Sequence, residues 1–314
     1  MIFFSNKDSK GLFDGRRVSA QLPYGGLEDQ QEAIREGNGR LSISGAQEKY
    51  AMVEDHGLLR LTGKDEPGRF ILKPPPTDRR FSFREDMPAN EYLTMHLAKE
   101  VYGIPVAANG LCYLGNGQAA YITRRFDYRP EGGKYHMEDF ASLAGLQKER
   151  FGDNYKYAVL SYEDCADIIK RYCAAAVAEL LLFYRQVVFN YLICNADAHL
   201  KNFSLVEYIP GDYRLSPAYD LLNTTLHIPS GIFALDKGLF KEGTPIGDTT
   251  PIGRPMLREF GLRIGLGEKT VGKELDFFTR NVSLAWEMID GSSLSPQAKE
   301  AYRKDYKYRL STMK

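Results

Sequence analysis

Asp197 and Asn202 stand five residues apart in a polar knot, Asn195-Ala196-Asp197-Ala198-His199-Leu200-Lys201-Asn202, that breaks out of the apolar run 189–194. A carboxylate and a carboxamide at that spacing, on a loop leaving a buried helix, suit a site in which Asp197 accepts or orients the proton of a substrate hydroxyl. Asn202 would then offer a metal a neutral oxygen, and Asp220, reached after a short hairpin, a charged one. This is the arrangement of phosphoryl transfer in kinase-like enzymes. Magnesium takes few protein oxygens and leaves the rest of its shell to phosphate and water. An isolated loop Asp is more often a turn cap, and Asn202 and Asp220 taken singly would be a turn residue and a strand-end residue. The combination favours the chemical reading.

Other residues fit around this set. Lys73 closes a strand just before Pro74-Pro75-Pro76, where a point charge can pair the α- and β-phosphates of ATP. Glu91, early in the next helix, is its candidate ion-pair partner, although an acid in a first helical turn also has a dipole explanation. His199 either donates to a phosphate oxygen or makes a structural hydrogen bond within the loop. Lys201 either neutralises the transferring charge or is a solvated lysine. Tyr219 either lines the same pocket or packs in the core. The segment 42–49 contains a single glycine, Gly45, and by itself is a poor phosphate cradle.

Six ordered blocks carry a resemblance over roughly residues 40–240. They are Ser42-Ile43-Ser44-Gly45-Ala46-Gln47-Glu48-Lys49, Phe70-Ile71-Leu72-Lys73-Pro74, Asn90-Glu91-Tyr92, Arg125-Phe126-Asp127, the knot continuing through Phe203-Ser204, and Ser216-Pro217-Ala218-Tyr219-Asp220. Together they resemble the HipA family of bacterial serine/threonine kinase toxins. The resemblance implies an α+β, two-lobed protein-kinase-like fold, with a small antiparallel-sheet N-lobe over 1–125 and a mainly helical C-lobe over 126–314. It implies ATP and Mg2+ as cofactors, Asp197 as catalytic residue, and Asn202 and Asp220 as metal ligands. It makes Ser44, Gly45, Ala46, Gln47, Glu48 and Lys49 the nucleotide loop. In the family the serine matching Ser42 is autophosphorylated and the loop is then driven out of the ATP site, as repulsion between phosphates would require; here Ser44 offers a second acceptor. Arg124, Arg125 and Phe126 stand at the family's hinge, where main-chain groups and the Phe126 ring would hold adenine. Arg124 replaces the family's hinge glutamate, which removes its side-chain contact to the adenine amino group. His199, Lys201 and Tyr219 join the nucleotide site.

Full-length HipA proteins carry an extra N-terminal domain before the nucleotide loop. Its absence here resembles the short HipT form, whose missing piece is a separate small protein, HipS, acting with the DNA-binding HipB. Partners in trans follow from the resemblance, with DNA reached only through them. Relatives phosphorylate glutamyl- or tryptophanyl-tRNA synthetase, which makes an aminoacyl-tRNA synthetase an expected protein substrate. Two other classes compete: a small-molecule or lipid kinase, since the D-x-H loop is similar to that of lipid kinases, and a nucleotide-binding module that acts only within a repressor complex.

The elements that must position these residues are readable in outline. Strands are expected at 41–43, 50–54, 58–62, 69–73, 111–114 and 119–123, with helices at 27–36 and 90–101. Helices then dominate: one from the Ser161 cap to Cys173, the buried helix 174–194, then 255–264, 271–289 and a last one with Ser295 as cap and Pro296 in first position. The run 174–194 carries Glu179, Arg185, Gln186 and Asn190, so it reads as a core helix and not a membrane span. With 41 basic and 41 acidic residues the formal charge is zero, which removes any bulk attraction to nucleic acid or anionic lipid. Four cysteines without C-x-x-C spacing read as reduced core filling, and the apolar start is too short for a signal peptide, so a cytoplasmic location is expected.

Overall fold

The computed structural model describes residues 2–25, 47–245, 252–280 and 282–314. The helix expected at 27–36, the strand at 41–43, and Ser42, Ser44, Gly45 and Ala46 of the nucleotide loop lie outside the described residues. Ser5 opens helix α1 (Asn6–Phe13), its side chain accepting from the Asp8 amide. Five strands follow: β1 (Tyr50–Asp55), β2 (Leu58–Leu61), β3 (Phe70–Lys73) and, after helix α2 (Met87–His96), β4 (Asn109–Tyr113) and β5 (Ala119–Arg124). They pair antiparallel throughout in the order β2-β1-β3-β5-β4.

Alternation along these strands decides which residues reach the site. Phe70 and Leu72 of β3 join Met52, Ile122, Leu12 and Phe13 in a core between the sheet and α1. Successive strand residues point to opposite faces, so Ile71 and Lys73 open onto the other side, where both line a cleft. Fully burying each of these Leu or Phe side chains contributes roughly 1.5–3 kcal/mol, which fixes the register that aims Lys73. The α1 contribution was not legible in the sequence. Helix α2 begins earlier than the expected 90–101, with Pro88 in its first turn, and its end widens into a π-helical turn over Leu97–Val101.

The second body is mainly helical. It contains β6 (His136–Asp139), the short helices α3 (Phe140–Leu143), α4 (Lys148–Phe151) and α5 (Tyr155–Ala158), then α6 (Tyr162–Tyr172) and α7 (Ala176–Leu192). The hairpin β7 (Ser204–Ile209) and β8 (Asp212–Leu215) completes a small sheet with β6, which was not anticipated. Helices α8 (Arg254–Arg263), α9 (Glu268–Arg280), α10 (Val282–Asp290) and α11 (Pro296–Met313) end the chain. The helix expected at 271–289 coincides with α9 and α10, with residue 281 between them outside the described residues. Ser161 and Asp164 form a reciprocal capping box on α6, and Ser295 caps α11, both as the sequence indicates. All four cysteines are free and buried. The whole is the expected α+β, two-lobed arrangement. No helix among the described residues is long and apolar enough to cross a membrane.

Candidate active site

Helix α7 is almost wholly buried in its second half, through Phe183, Tyr184, Val187, Val188, Phe189 and Tyr191, and so delivers the polar knot to a fixed point. The helix stops because Cys194 turns into the left-handed region at φ 57°. Asn195 then folds back on the helix: its amide donates to the Asn190 carbonyl at 2.8 Å and its Nδ2 to Asn190 Oδ1 at 2.9 Å. Its Oδ1 accepts from the Asp197 amide at 3.2 Å. Asn202 Nδ2 closes the loop on the Asp197 carbonyl at 2.9 Å, so the carboxamide oxygen is the atom that could hold a metal.

The β7–β8 hairpin turns at Gly211, φ 81°, with its amide held by Glu207 Oε1. The returning chain brings Thr224 against the loop, donating from Oγ1 to the Cys194 carbonyl at 2.9 Å and accepting from the Ala196 amide at 3.0 Å. Asp220 lies five residues beyond the end of β8 and not on a strand, at φ 54°, a conformation that Asp tolerates better than most residues.

Four charges converge here. Lys73 Nζ lies 2.5 Å from Asp220 Oδ1 and 2.6 Å from Glu91 Oε1, and Lys49 Nζ lies 3.8 Å from Asp220 Oδ2. The Lys73–Glu91 pair anticipated from the sequence is thus formed. Burial opposes the charge on Asp220, but the ammonium groups of Lys73 and Lys49 outweigh it and hold the carboxyl well below its ordinary value. Burial likewise opposes the charge on Lys73, yet Asp220 and Glu91 keep it firmly protonated. For Glu91 burial wins: it pushes the carboxyl up to about 7 against the pull of Lys73. One of its oxygens, Oε2, is buried without a hydrogen-bond partner among the described residues.

Lys49, Lys73, Arg124, Arg125, Phe126, His199, Lys201, Asn202, Tyr219 and Asp220 all line one cleft of about 400 Å³. The rings of Phe126 and Tyr219 are 5.6 Å apart on its wall, and the Tyr219 hydroxyl donates to the Lys201 carbonyl at 2.8 Å. His199 is 1% exposed, and neither of its ring nitrogens has a hydrogen-bond partner among the described residues. Burial, aided by the positive charge of Lys156, holds its pKa well below the usual histidine value, so the ring is neutral. A neutral imidazole keeps one N–H donor for a ligand in the cleft.

Three predicted residues stand apart from the cleft wall. Gln47 is buried with its Nε2 donating to the Pro74 carbonyl at 3.1 Å, and Glu48 accepts from the Thr77 hydroxyl at 2.5 Å. Both brace the exit of β3. Asp197 is buried, and its Oδ1 accepts from the Tyr157 hydroxyl at 2.8 Å. The hinge arginines line the cleft with their polar groups turned to the protein. Arg124 donates to Asp14 Oδ1 at 2.7 Å, Arg125 forms a two-pronged pair with Asp127, and their amides donate to the Ala108 and Arg69 carbonyls. Neither of these two amides is therefore free to donate to a ligand in the cleft. Tyr157 and Thr224 were not anticipated, and no local sequence signal marks them; Asp127 closes the Arg125-Phe126-Asp127 block, but its pairing with Arg125 was not foreseen.

Among the described residues no group of three or more His, Cys, Asp and Glu converges on a metal position. An ionised Asp220 and the oxygen of Asn202 are a hard, two-ligand set, which fits a magnesium ion that completes its shell with phosphate and water.

Residues 41–286 match the family model described as HipA-like C-terminal domain. A Haemophilus influenzae protein named "Putative kinase" is 27% identical over 96% of this chain and 90% of its own length. A kinase-named protein of Sinorhizobium fredii is 33% identical over 67% of this chain, which spans about half (48%) of that relative. The HipA of Shewanella oneidensis, named a serine/threonine-protein kinase toxin, is 26% identical over 62% of this chain and 46% of its own length. Its solved structure, in complex with HipB and operator DNA, superposes with a TM-score of 0.68 at 22% identity, covering 89% of this chain and 66% of that one. On the extent of the model match, the chain belongs to the HipA-like C-terminal domain family.

Proposed function

We propose that the chain is an ATP- and Mg2+-dependent serine/threonine protein kinase acting as the toxin of a HipA-like toxin–antitoxin module. The observation that carries this reading is the convergence of Lys73, Asp220, Asn202 and His199 on one cleft walled by Phe126 and Tyr219. In the transfer, the acceptor hydroxyl oxygen bonds to the γ-phosphorus while the bond from that phosphorus to the β–γ bridging oxygen breaks. The electron pair leaves with ADP, and the hydroxyl proton passes to Asp197. Lys73 binds the α- and β-phosphates, and Phe126 and Tyr219 flank the base. Magnesium, held by Asn202 and Asp220, would supply neutralisation of phosphate charge. Well-placed proton acceptance contributes about 10²–10⁴ in rate.

The finer assignments belong to the same proposal. Residues 1–125 form the lobe with the nucleotide loop and 126–314 the lobe with the catalytic loop. Ser42 or Ser44 is the autophosphorylation site, an aminoacyl-tRNA synthetase is the target, and HipS-like and HipB-like proteins are the antitoxin partners; the co-crystallised HipB and operator DNA of the Shewanella relative support the last point. The test is intact-mass and peptide mass spectrometry of the chain incubated with MgATP, beside Asp197→Asn. Added phosphate on Ser42 or Ser44 in the wild type and none in the variant is expected. Undiminished phosphate in the variant removes Asp197 from its role.

A further inference from the structure

Tyr157 sits on the one-turn helix α5, 40 residues before Asp197, and its hydroxyl donates to Asp197 Oδ1 at 2.8 Å. The tyrosine is 3% exposed and its backbone is tied on both sides. Its amide donates to the Asn154 carbonyl at 2.9 Å, and the Asp236 amide donates to its carbonyl at 3.0 Å. Its ring stands edge-on to His199 with centroids 5.0 Å apart. On the next helix Tyr162 donates to the Ala198 carbonyl at 2.8 Å, so it grips the backbone of the loop where Tyr157 grips a side chain.

We propose that Tyr157 is a positioning residue for phosphoryl transfer: its hydroxyl holds one oxygen of Asp197 and so sets the orientation of the carboxyl group. The assignment rests on the reading of Asp197 given above. A carboxylate rotates about a broad terminal torsion, and a charge-assisted hydrogen bond from a side chain fixed at both ends of its backbone removes that freedom. A reacting group displaced by about 1 Å costs up to about 10²-fold in rate. A buried tyrosine also needs a partner for its hydroxyl simply to fold, and a purely structural bond would affect stability without touching turnover.

ATP turnover with water as acceptor, followed as ADP release in the presence of Mg2+, separates the two. Tyr157→Phe is expected to lower kcat about 10- to 100-fold while leaving the KM for ATP unchanged. Tyr184→Phe removes a remote buried hydroxyl that donates to the Leu257 carbonyl at 3.2 Å, and is expected to lower the melting temperature with kcat intact. Wild-type kcat in Tyr157→Phe overturns the positioning role and leaves Asp197 untouched, as does a loss confined to KM. Failure of Tyr157→Phe to fold where Asp197→Asn folds assigns the tyrosine to the fold and also overturns it. Full turnover in Asp197→Asn removes Asp197 from its role and this inference with it, and a wild type with neither ATP turnover nor added phosphate on Ser42 or Ser44 overturns the underlying kinase reading as well.

Discussion

Lys73 is the residue on which the buried charges depend. It is 3% exposed and answers two carboxylates, Glu91 and Asp220. Removing one partner of a buried ion pair leaves an uncompensated charge, at a cost of about 3–5 kcal/mol. Lys73→Met is therefore expected to lower the melting temperature, and by more at pH 8 than at pH 5. The sign follows from Glu91, whose carboxyl stands at about 7, above its ordinary 4.5. A raised pKa means the folded chain holds the proton more tightly than the unfolded one, so the associated stability is full below about pH 4.5 and is lost as pH rises through about 7. Without Lys73 the carboxyl holds its proton still more tightly, which widens the gap between the two pH values. Equal losses at pH 5 and pH 8 would contradict the buried pairing. Glu91→Gln, which removes the titrating group, should flatten the wild-type slope between those values.

At the scale of elements, what was legible in the sequence depended on range. The Ser161 capping box and the Ser295 cap are contacts within three residues, and both were readable. So were β1, β3 and β5, whose alternation is set by one buried face. Strand β6 was not, because His136-Met137-Glu138-Asp139 has no alternation and is a strand only by pairing with β7. The same limit hid the hydroxyl of Tyr157 from Asp197, and left Asn90 a motif residue without a role. The structure supplies one. Asn90 Nδ2 donates to the Asn223 carbonyl and to His227 Nε2, each at 2.8 Å, while its Oδ1 accepts from the Asn223 amide at 3.0 Å and the Thr94 hydroxyl at 3.2 Å. His227 must accept at Nε2 because its Nδ1 lies 2.9 Å from the Ser82 carbonyl, which can only accept. Asn90 therefore bolts α2, the carrier of Glu91, to the segment three residues past Asp220. Asn90→Ala strands the Asn223 amide and carbonyl, each unsatisfied buried group costing about 1–3 kcal/mol. A loss of about 2–4 kcal/mol in urea unfolding is expected, with faster hydrogen exchange in α2. Unchanged exchange there would mean that α2 is held by its apolar packing alone.

For the whole molecule, the telling feature is that the sheet-side core around Leu12, Met52, Leu72 and Ile122 and the larger helical core are separate clusters. The cleft is lined from both sides, by Ile71, Lys73 and Thr123 of the sheet and by His199, Asn202 and Asp220 of the helical body. A ligand that touches both must be released before the two come apart, so it stabilises the folded chain by mass action. At one hundred times its dissociation constant this amounts to about 2.7 kcal/mol, a rise of a few degrees in melting temperature. The charges decide which form of nucleotide does this. Lys73 and Lys49 attract phosphate, whereas the ionised Asp220 between them repels it, and at about 4 Å such a repulsion is worth about 4 kcal/mol even in a screened environment. ATP with Mg2+ is thus expected to raise the melting temperature more than ATP with a chelator. Asp220→Asn should shrink the difference by removing both the repulsion and the charged ligand. Equal shifts with and without Mg2+ in the wild type would take the metal role away from Asn202 and Asp220, and no shift with either would take nucleotide binding away from the cleft.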